Sequence, residues 1–206
     1  MGFALSNASV IFNPVKVIRE IIPYPDTAGG YKLACPGRYF LLDKGQDILI
    51  RVMSLKKWQE RPVKVQFFGA GYDRPALEDL ARFLKVSNVV FREYSHDVAA
   101  IWKESHALII PSRAEGMPLV LLEAMCAGRT TIACNAGGNA EILTDNVDGF
   151  IGEPFESTLD EAMERAWQAR EQWEEMGRRA SEKIQSTVPD IPEKVFANLV
   201  KTTIHA

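Results

Sequence analysis

The sequence predicts an α/β protein with a parallel sheet covered by helices on both faces. From about residue 32 onward, short apolar runs alternate with longer stretches whose apolar residues recur at helical spacing, the signature of βαβ units. The chain has 206 residues, 47% hydrophobic and 25% charged, which is ample material for a core.

In order, KLACPG (32–37) reads as the first strand, and DKGQDILIRVMSLKKW (43–58) as a helix after it. VKVQFFG (63–69) is a second strand ending at glycine. RPALEDLARFL (74–84) is a helix with Leu77, Leu80, Ala81 and Leu84 on one face. NVVF (88–91), the helical VAAIWKES (98–105) and ALIIP (107–111) continue the alternation. An apolar helix is expected from Pro118, its first residue, to about Ala127, stopped by Gly128. TTIAC (130–134) is the fifth strand, followed by a short AEIL turn (140–143). Ser157 with Asp160 predicts an N-cap box. Leu159, Met163, Ala166 and Trp173 then mark the apolar side of one long helix whose charges form a solvated face. Pro189 and Pro192 break the chain before a last amphipathic helix over about 193–203. The expected organisation is a linker and domain start over 1–30, the α/β body over 31–187, and a C-terminal helix over 188–206.

Composition excludes several function classes. With 24 basic and 27 acidic residues the net charge is −3, so nothing draws the chain to nucleic acid and any anion site must be local. Cys35, Cys126 and Cys134 fit no zinc or redox spacing and read as buried thiols of a reducing compartment. The three histidines form no close cluster, and no metal site is expected. The N-terminus lacks the pattern of a signal peptide and no apolar run is long enough to span a bilayer, which points to the cytoplasm.

Ligands of parallel sheets bind at the carboxyl ends of the strands, beside helix N-termini. Four stretches fall there. After the first strand, Gly37 and Arg38 are followed by Lys44, either a phosphate clamp or two surface cations. After the second, Gly69 and Gly71 allow close approach of the backbone to a ligand or to a neighbouring loop. The third glycine of a dinucleotide fingerprint is absent, Arg74 standing in its place. After the third, Phe91, Arg92 and Tyr94 are candidates to cradle a flat base, or form an ordinary loop with a core aromatic. After the fourth, PSRAEG leads into EGMPLVLLEAM, where Glu115 precedes the helix and Glu123 lies inside it. Those carboxylates are readable as a helix-dipole residue and a buried salt bridge. Beside Arg38, Lys44 and the free N–H groups of Met117, Leu119 and Val120, they also read as one wall of a site. NAGGNAE (135–141) adds a glycine turn at the same edge.

At these residues the sequence resembles the nucleotide-sugar-binding domain of glycosyltransferase family 4, the C-terminal half of the two-domain GT-B architecture. The resemblance rests on Gly37, Arg38, Lys44 and Gly45, on GAG (69–71), on PSRAEGMPLVLLEAMCAG (111–128), on NAGGNAEIL (135–143) and on DGF (148–150), and extends back to VIFNPV near the start. It implies a Rossmann-like three-layer α/β/α sandwich. It implies a retaining hexosyltransferase without a bound metal or cofactor, taking a UDP-, GDP- or ADP-sugar. Arg38 and Lys44 would hold the donor diphosphate, Glu115 would face the sugar hydroxyls, and Glu123 would accept hydrogen bonds from the ribose. Gly116, Met117, Leu119 and Val120 would present backbone to sugar and phosphate, and the loop at Phe91, Arg92 and Tyr94 would meet the base. The acceptor, a sugar or lipid, would bind a missing N-terminal domain, leaving this chain inactive alone; membrane-surface association of the parent enzyme is left open. Pro118 and Met117 depart from the glycine and phenylalanine common in that family. The alternatives are a non-catalytic nucleotide-binding or interaction module, or a GT-B epimerase or phosphorylase, for whose catalytic arrangements the sequence offers no sign.

Overall fold

The computed structural model describes residues 19–189 and 191–204. Six strands, β1 (Tyr31–Pro36), β2 (Val63–Phe68), β3 (Val89–Arg92), β4 (Ala107–Ile110), β5 (Thr130–Cys134) and β6 (Gly149–Gly152), form one parallel sheet in the order β3-β2-β1-β4-β5-β6. β4 and β5 are buried along their whole length, as strands covered on both faces must be. Alternate residues of β1 serve opposite cores: Leu33 and Cys35 join one cluster and Ala34 the other.

The first core lies under α2 (Gln46–Met53), α3 (Lys56–Glu60), α4 (Arg74–Phe83) and α8 (Glu156–Gln168). The second lies under α5 (Val98–Glu104), α6 (Leu119–Cys126), α7 (Asn139–Ile142) and the later turns of α9 (Trp173–Thr187). Strand order increases in opposite directions from β1 and β4, so the helices diverge to the two faces there. This is the fold of dinucleotide-binding domains, and it leaves a crevice at that point. β1 and β4 pair at two positions, against six between β1 and β2.

The structure corrects four details of the sequence reading. The helix expected over 43–58 is three, α1 (Leu41–Lys44), α2 and α3: Gly45, at φ 60° and against the Pro111 carbonyl, separates the first two, and a turn at Ser54 and Leu55 separates the others. The long helix after 157 breaks at a 3-10 turn, Arg170–Gln172, between α8 and α9. No N-cap box forms: Phe155 caps α8, and Ser157 lies inside it. Its acidic side is also not simply solvated. Asp160 accepts from Lys57 Nζ and Trp58 Nε1, while Glu164 meets Arg61 at 2.8 and 2.9 Å, which holds the Glu164 carboxyl down at about 2 despite some burial. β6, with two glycines in four residues, was not anticipated as a strand. VIFNPV lies outside the described residues.

Arg129 is the largest buried charge. It is 1% exposed, and its guanidinium donates to the carbonyls of Ile22, Pro23, Trp102, Ser105, Ala127 and Gly128. Those carbonyls close the C-terminal ends of α5 and α6, where a cation complements the helix dipole. They also belong to the incoming chain at 22–23, which Arg129 fastens to the body. Burial lowers its pKa to about 10, still charged at neutral pH. His106 fastens the same stretch: its Nδ1 accepts from Lys32 N and its Nε2 meets Asp26 O, and burial keeps the ring's pKa below the usual histidine value. The three cysteines are free and buried, and burial pushes their thiols up, Cys134 to about 12. No described helix is long and apolar enough to cross a membrane. The last helix, α10 (Pro192–Ile204), leaves Val195, Phe196, Leu199 and Val200 exposed.

Arg129→Ala takes one donor from each of six carbonyls and should cost about 3–5 kcal/mol in urea unfolding. Wild-type stability in that variant would show that water replaces the guanidinium without loss.

Candidate functional site

A cleft of about 500 Å³ opens at the carboxyl ends of the strands, over the divergence of β1 and β4. Gly37, Arg38, Lys44, Gly69, Tyr94, Glu115, Met117, Leu119, Val120 and Glu123 all line it, on four different loops or helix starts. Its inner end between α5 and α6 is apolar, with Phe68, Val98, Ile101 and Trp102.

The loops are set by backbone packing that only glycine allows. A Cβ on Gly69 would stand 1.9 Å from the Gly37 carbonyl oxygen, and one on Gly71 would stand 2.3 Å from that of Tyr39. Both glycines thus serve the neighbouring loop, and Gly71 does not line the cleft. The Asp73 carboxylate accepts a further hydrogen bond, from Leu41 N at 2.8 Å. On the other side, Gly137 at φ +53° leaves no room beside the Glu115 carbonyl, and Gly138 N donates to Gly116 O at 2.7 Å. The NAGG turn therefore buttresses the loop that carries Glu115.

Lys44 Nζ donates to both Glu115 oxygens, at 2.7 and 2.9 Å. Ser112 Oγ donates to Glu115 Oε1 at 2.6 Å, a partner that sequence reading missed although it stands in PSRAEG. The Arg113 guanidinium clasps Asp47 at 2.7 and 2.8 Å and also reaches Leu41 O, while Arg113 N and Ala114 N both donate to Asp43 O. Burial opposes ionisation of Asp47, yet the bonds from Arg113 hold its carboxyl below the usual carboxylate range. Gln46, buried at the cleft floor, donates to Arg38 O at 2.7 Å. The Arg38 guanidinium is exposed and meets no carboxylate among the described residues.

Pro118 caps α6 with extended backbone, one position before its expected place as first helical residue, and its carbonyl accepts from Leu121 N. The N–H groups of Leu119 and Val120 find no acceptor among the described residues and stand at the positive end of the helix dipole. Glu123 is half-buried one turn further on. Burial raises its pKa, and its carboxylate has no partner among the described residues. The buried-salt-bridge reading is thus corrected: a half-buried carboxylate with no partner among the described residues lines the cleft instead.

The loop expected to meet a base divides. Tyr94 lines the cleft, exposed and edge-on to His96. Phe91 does not: its ring stacks on Phe67 at 5.2 Å as part of the core, and Arg92 gives its carbonyl to the Tyr39 hydroxyl. Gly116 lies beside the cleft without lining it. The core-aromatic alternative describes Phe91.

A sequence model described as glycosyl transferases group 1 matches residues 30–169. The chain belongs to that family. An uncharacterized glycosyltransferase of Haemophilus influenzae is 32% identical over 114 residues, 53% of this chain and 32% of that protein. The fold is Rossmann-like and shared with GT-B glycosyltransferases. A mutant of S. aureus TarM, solved in complex with Fondaparinux, alpha-GlcNAc-glycerol and UDP, superposes with a TM-score of 0.81 at 20% identity, over 97% of this chain and 40% of that one. Anabaena Alr3699/HepE in complex with UDP gives 0.75 at 19% identity, over 85% and 50%. The chain thus spans about a third of the curated relative and half or less of each solved chain.

Gly137→Ala should cost roughly 2 kcal/mol through forced positive φ and the clash with Glu115 O, and shift the amide resonances of Glu115 and Gly116. Unmoved resonances and full stability would show that the turn does not hold this loop.

Proposed function

We propose that this chain is the donor-binding half, the C-terminal domain, of a retaining GT-B hexosyltransferase of family 4. The observation that carries the reading is the cleft's pairing of local positive potential with one free carboxylate. Arg38, Lys44 and the α6 N-terminus stand at the near end, and the partnerless Glu123 stands one turn inside. A diphosphate fits the first group by charge and by N–H donors, and a ribose diol fits the second by its two O–H donors. Tyr94 and the apolar inner end offer a surface for a base. The UDP in the structures of TarM and HepE supports a nucleotide-sugar as the ligand class.

In transfer, the bond from sugar to diphosphate breaks as an acceptor hydroxyl bonds to the anomeric carbon and yields its proton to the departing diphosphate; on the way the sugar becomes cationic at that carbon and the diphosphate gains negative charge. Arg38, Lys44 and the N–H groups of Leu119 and Val120 stand where that charge grows, so their attraction is stronger in the transition state than before it. Glu115 faces the sugar hydroxyls. Retention of anomeric configuration follows from the family 4 resemblance. The acceptor, a sugar or lipid, meets the donor across a cleft completed by a second domain, towards which the apolar side of α10 packs. Alone, this chain binds the donor without transferring it.

Calorimetry with UDP, GDP and ADP should find millimolar or tighter binding of one of them. Arg38→Ala and Lys44→Ala should each weaken it roughly tenfold to a hundredfold, the range of a charge-assisted hydrogen bond, with thermal stability nearly unchanged in Arg38→Ala and lowered in Lys44→Ala, which leaves Glu115 with Ser112 as its one donor. No binding of any of the three refutes the donor reading, and unfolding of both variants assigns the cations to structure instead.

A further inference from the structure

The inference rests on the donor reading and concerns what occupies Lys44 before a diphosphate arrives. Two of the three donors of its ammonium already point at Glu115, one to each oxygen. Ser112 adds a third bond to that carboxylate. The Glu115 side chain is 9% exposed and that of Lys44 is 23%, so solvent screens the pair weakly. Arg113, Asp47 and the Asp43 carbonyl clasp the two loops together outside the pair and keep it closed. Of the two cations proposed for the diphosphate, Arg38 is free and Lys44 is neutralised.

A bare nucleoside diphosphate that takes Lys44 must draw it off a carboxylate 2.7 Å away and bring further negative charge towards that carboxylate. Glu115 is then left nearly buried with Ser112 as its one remaining donor, a costly state for an ionised group. A nucleotide carrying its sugar meets a different situation. Hexose hydroxyls are O–H donors, and placed at Glu115 they replace the bonds that Lys44 withdraws. We propose that Glu115 is a specificity-determining residue, which penalises bare nucleoside diphosphate and admits the sugar-bearing donor by exchanging Lys44 for sugar hydroxyls. After transfer the hydroxyls leave with the product, Glu115 recaptures Lys44, and the diphosphate loses one of its two cations. The same ion pair that guards the empty cleft therefore promotes release of the spent nucleotide.

The test is calorimetry on the full chain and on Glu115→Gln, with UDP, GDP and ADP and then with UDP-glucose, GDP-mannose and ADP-glucose. Glu115→Gln keeps the shape and removes the competing charge. It should bind the preferred bare diphosphate about tenfold more tightly and lose at least that factor in preference for the sugar nucleotide. Equal or weaker diphosphate binding by the folded variant overturns the proposal while leaving the donor reading in place. Silence of the unaltered chain towards all six ligands overturns the donor reading and this one with it. Should Glu115→Gln not fold, NMR of the unaltered chain decides: the Lys44 15Nζ and Glu115 13Cδ resonances should both move on saturation with the diphosphate. A stationary Glu115 carboxyl resonance contradicts the exchange.

Discussion

The reversal of winding between β1 and β4 is the constraint from which the rest of the structure follows. Helices leave the sheet on opposite faces there, so the carboxyl ends of two central strands part and a crevice forms without any side chain being spent on it. The loops that rim it must then hold each other. They do so backbone to backbone: Gly45 lies on the Pro111 carbonyl, Gly69 on that of Gly37, and Gly137 on that of Glu115. At each contact a Cβ would overlap an oxygen, which explains the placement of glycine at the ends of runs that otherwise look like ordinary βα loops.

The electrostatics follow the same axis. The chain carries a net charge of −3, so a site for an anion has to be built from local dipoles and a few cations. α6 shows how. The N–H groups of Leu119 and Val120 at its N-terminus have no acceptor among the described residues, and its C-terminal carbonyls are closed by Arg129 on the far side of the domain. One buried cation answers the negative ends of α5 and α6, while the positive end of α6 opens on the cleft. Glu115 and Lys44 then cancel locally, and Arg38 and Glu123 remain as the two side chains in the cleft with charge to offer.

Most of the fold was legible because alternation is a local property. KLACPG, VKVQFFG and TTIAC became strands within a residue of their expected limits, and the helix expected from Pro118 to about Ala127 became α6, Leu119–Cys126. β6 was not legible, since GFIG is too short and too rich in glycine to show a strand pattern. The break at Gly45 was not legible because its cause is the Pro111 carbonyl, far along the chain. The site was legible as positions and much less as partnerships. Arg38, Lys44, Glu115 and Glu123 all reached the cleft, yet the bond between Lys44 and Glu115 joins residues 71 apart, and nothing in either motif announces it. Phe91 went to the core because β3 is paired up to Arg92, which leaves its ring facing Phe67 across the neighbouring strand. Arg129 could not be foreseen at all: a buried arginine satisfied by carbonyls alone has no acidic partner in the sequence to betray it.

The most direct test of the account is a crystal structure of the chain with the nucleoside diphosphate it binds best. The account predicts the diphosphate between Arg38 and Lys44 at the start of α6, and the ribose hydroxyls within hydrogen-bond distance of Glu123. A nucleotide bound away from the crevice between β1 and β4, or one lying there with Glu123 turned from the ribose, would contradict it.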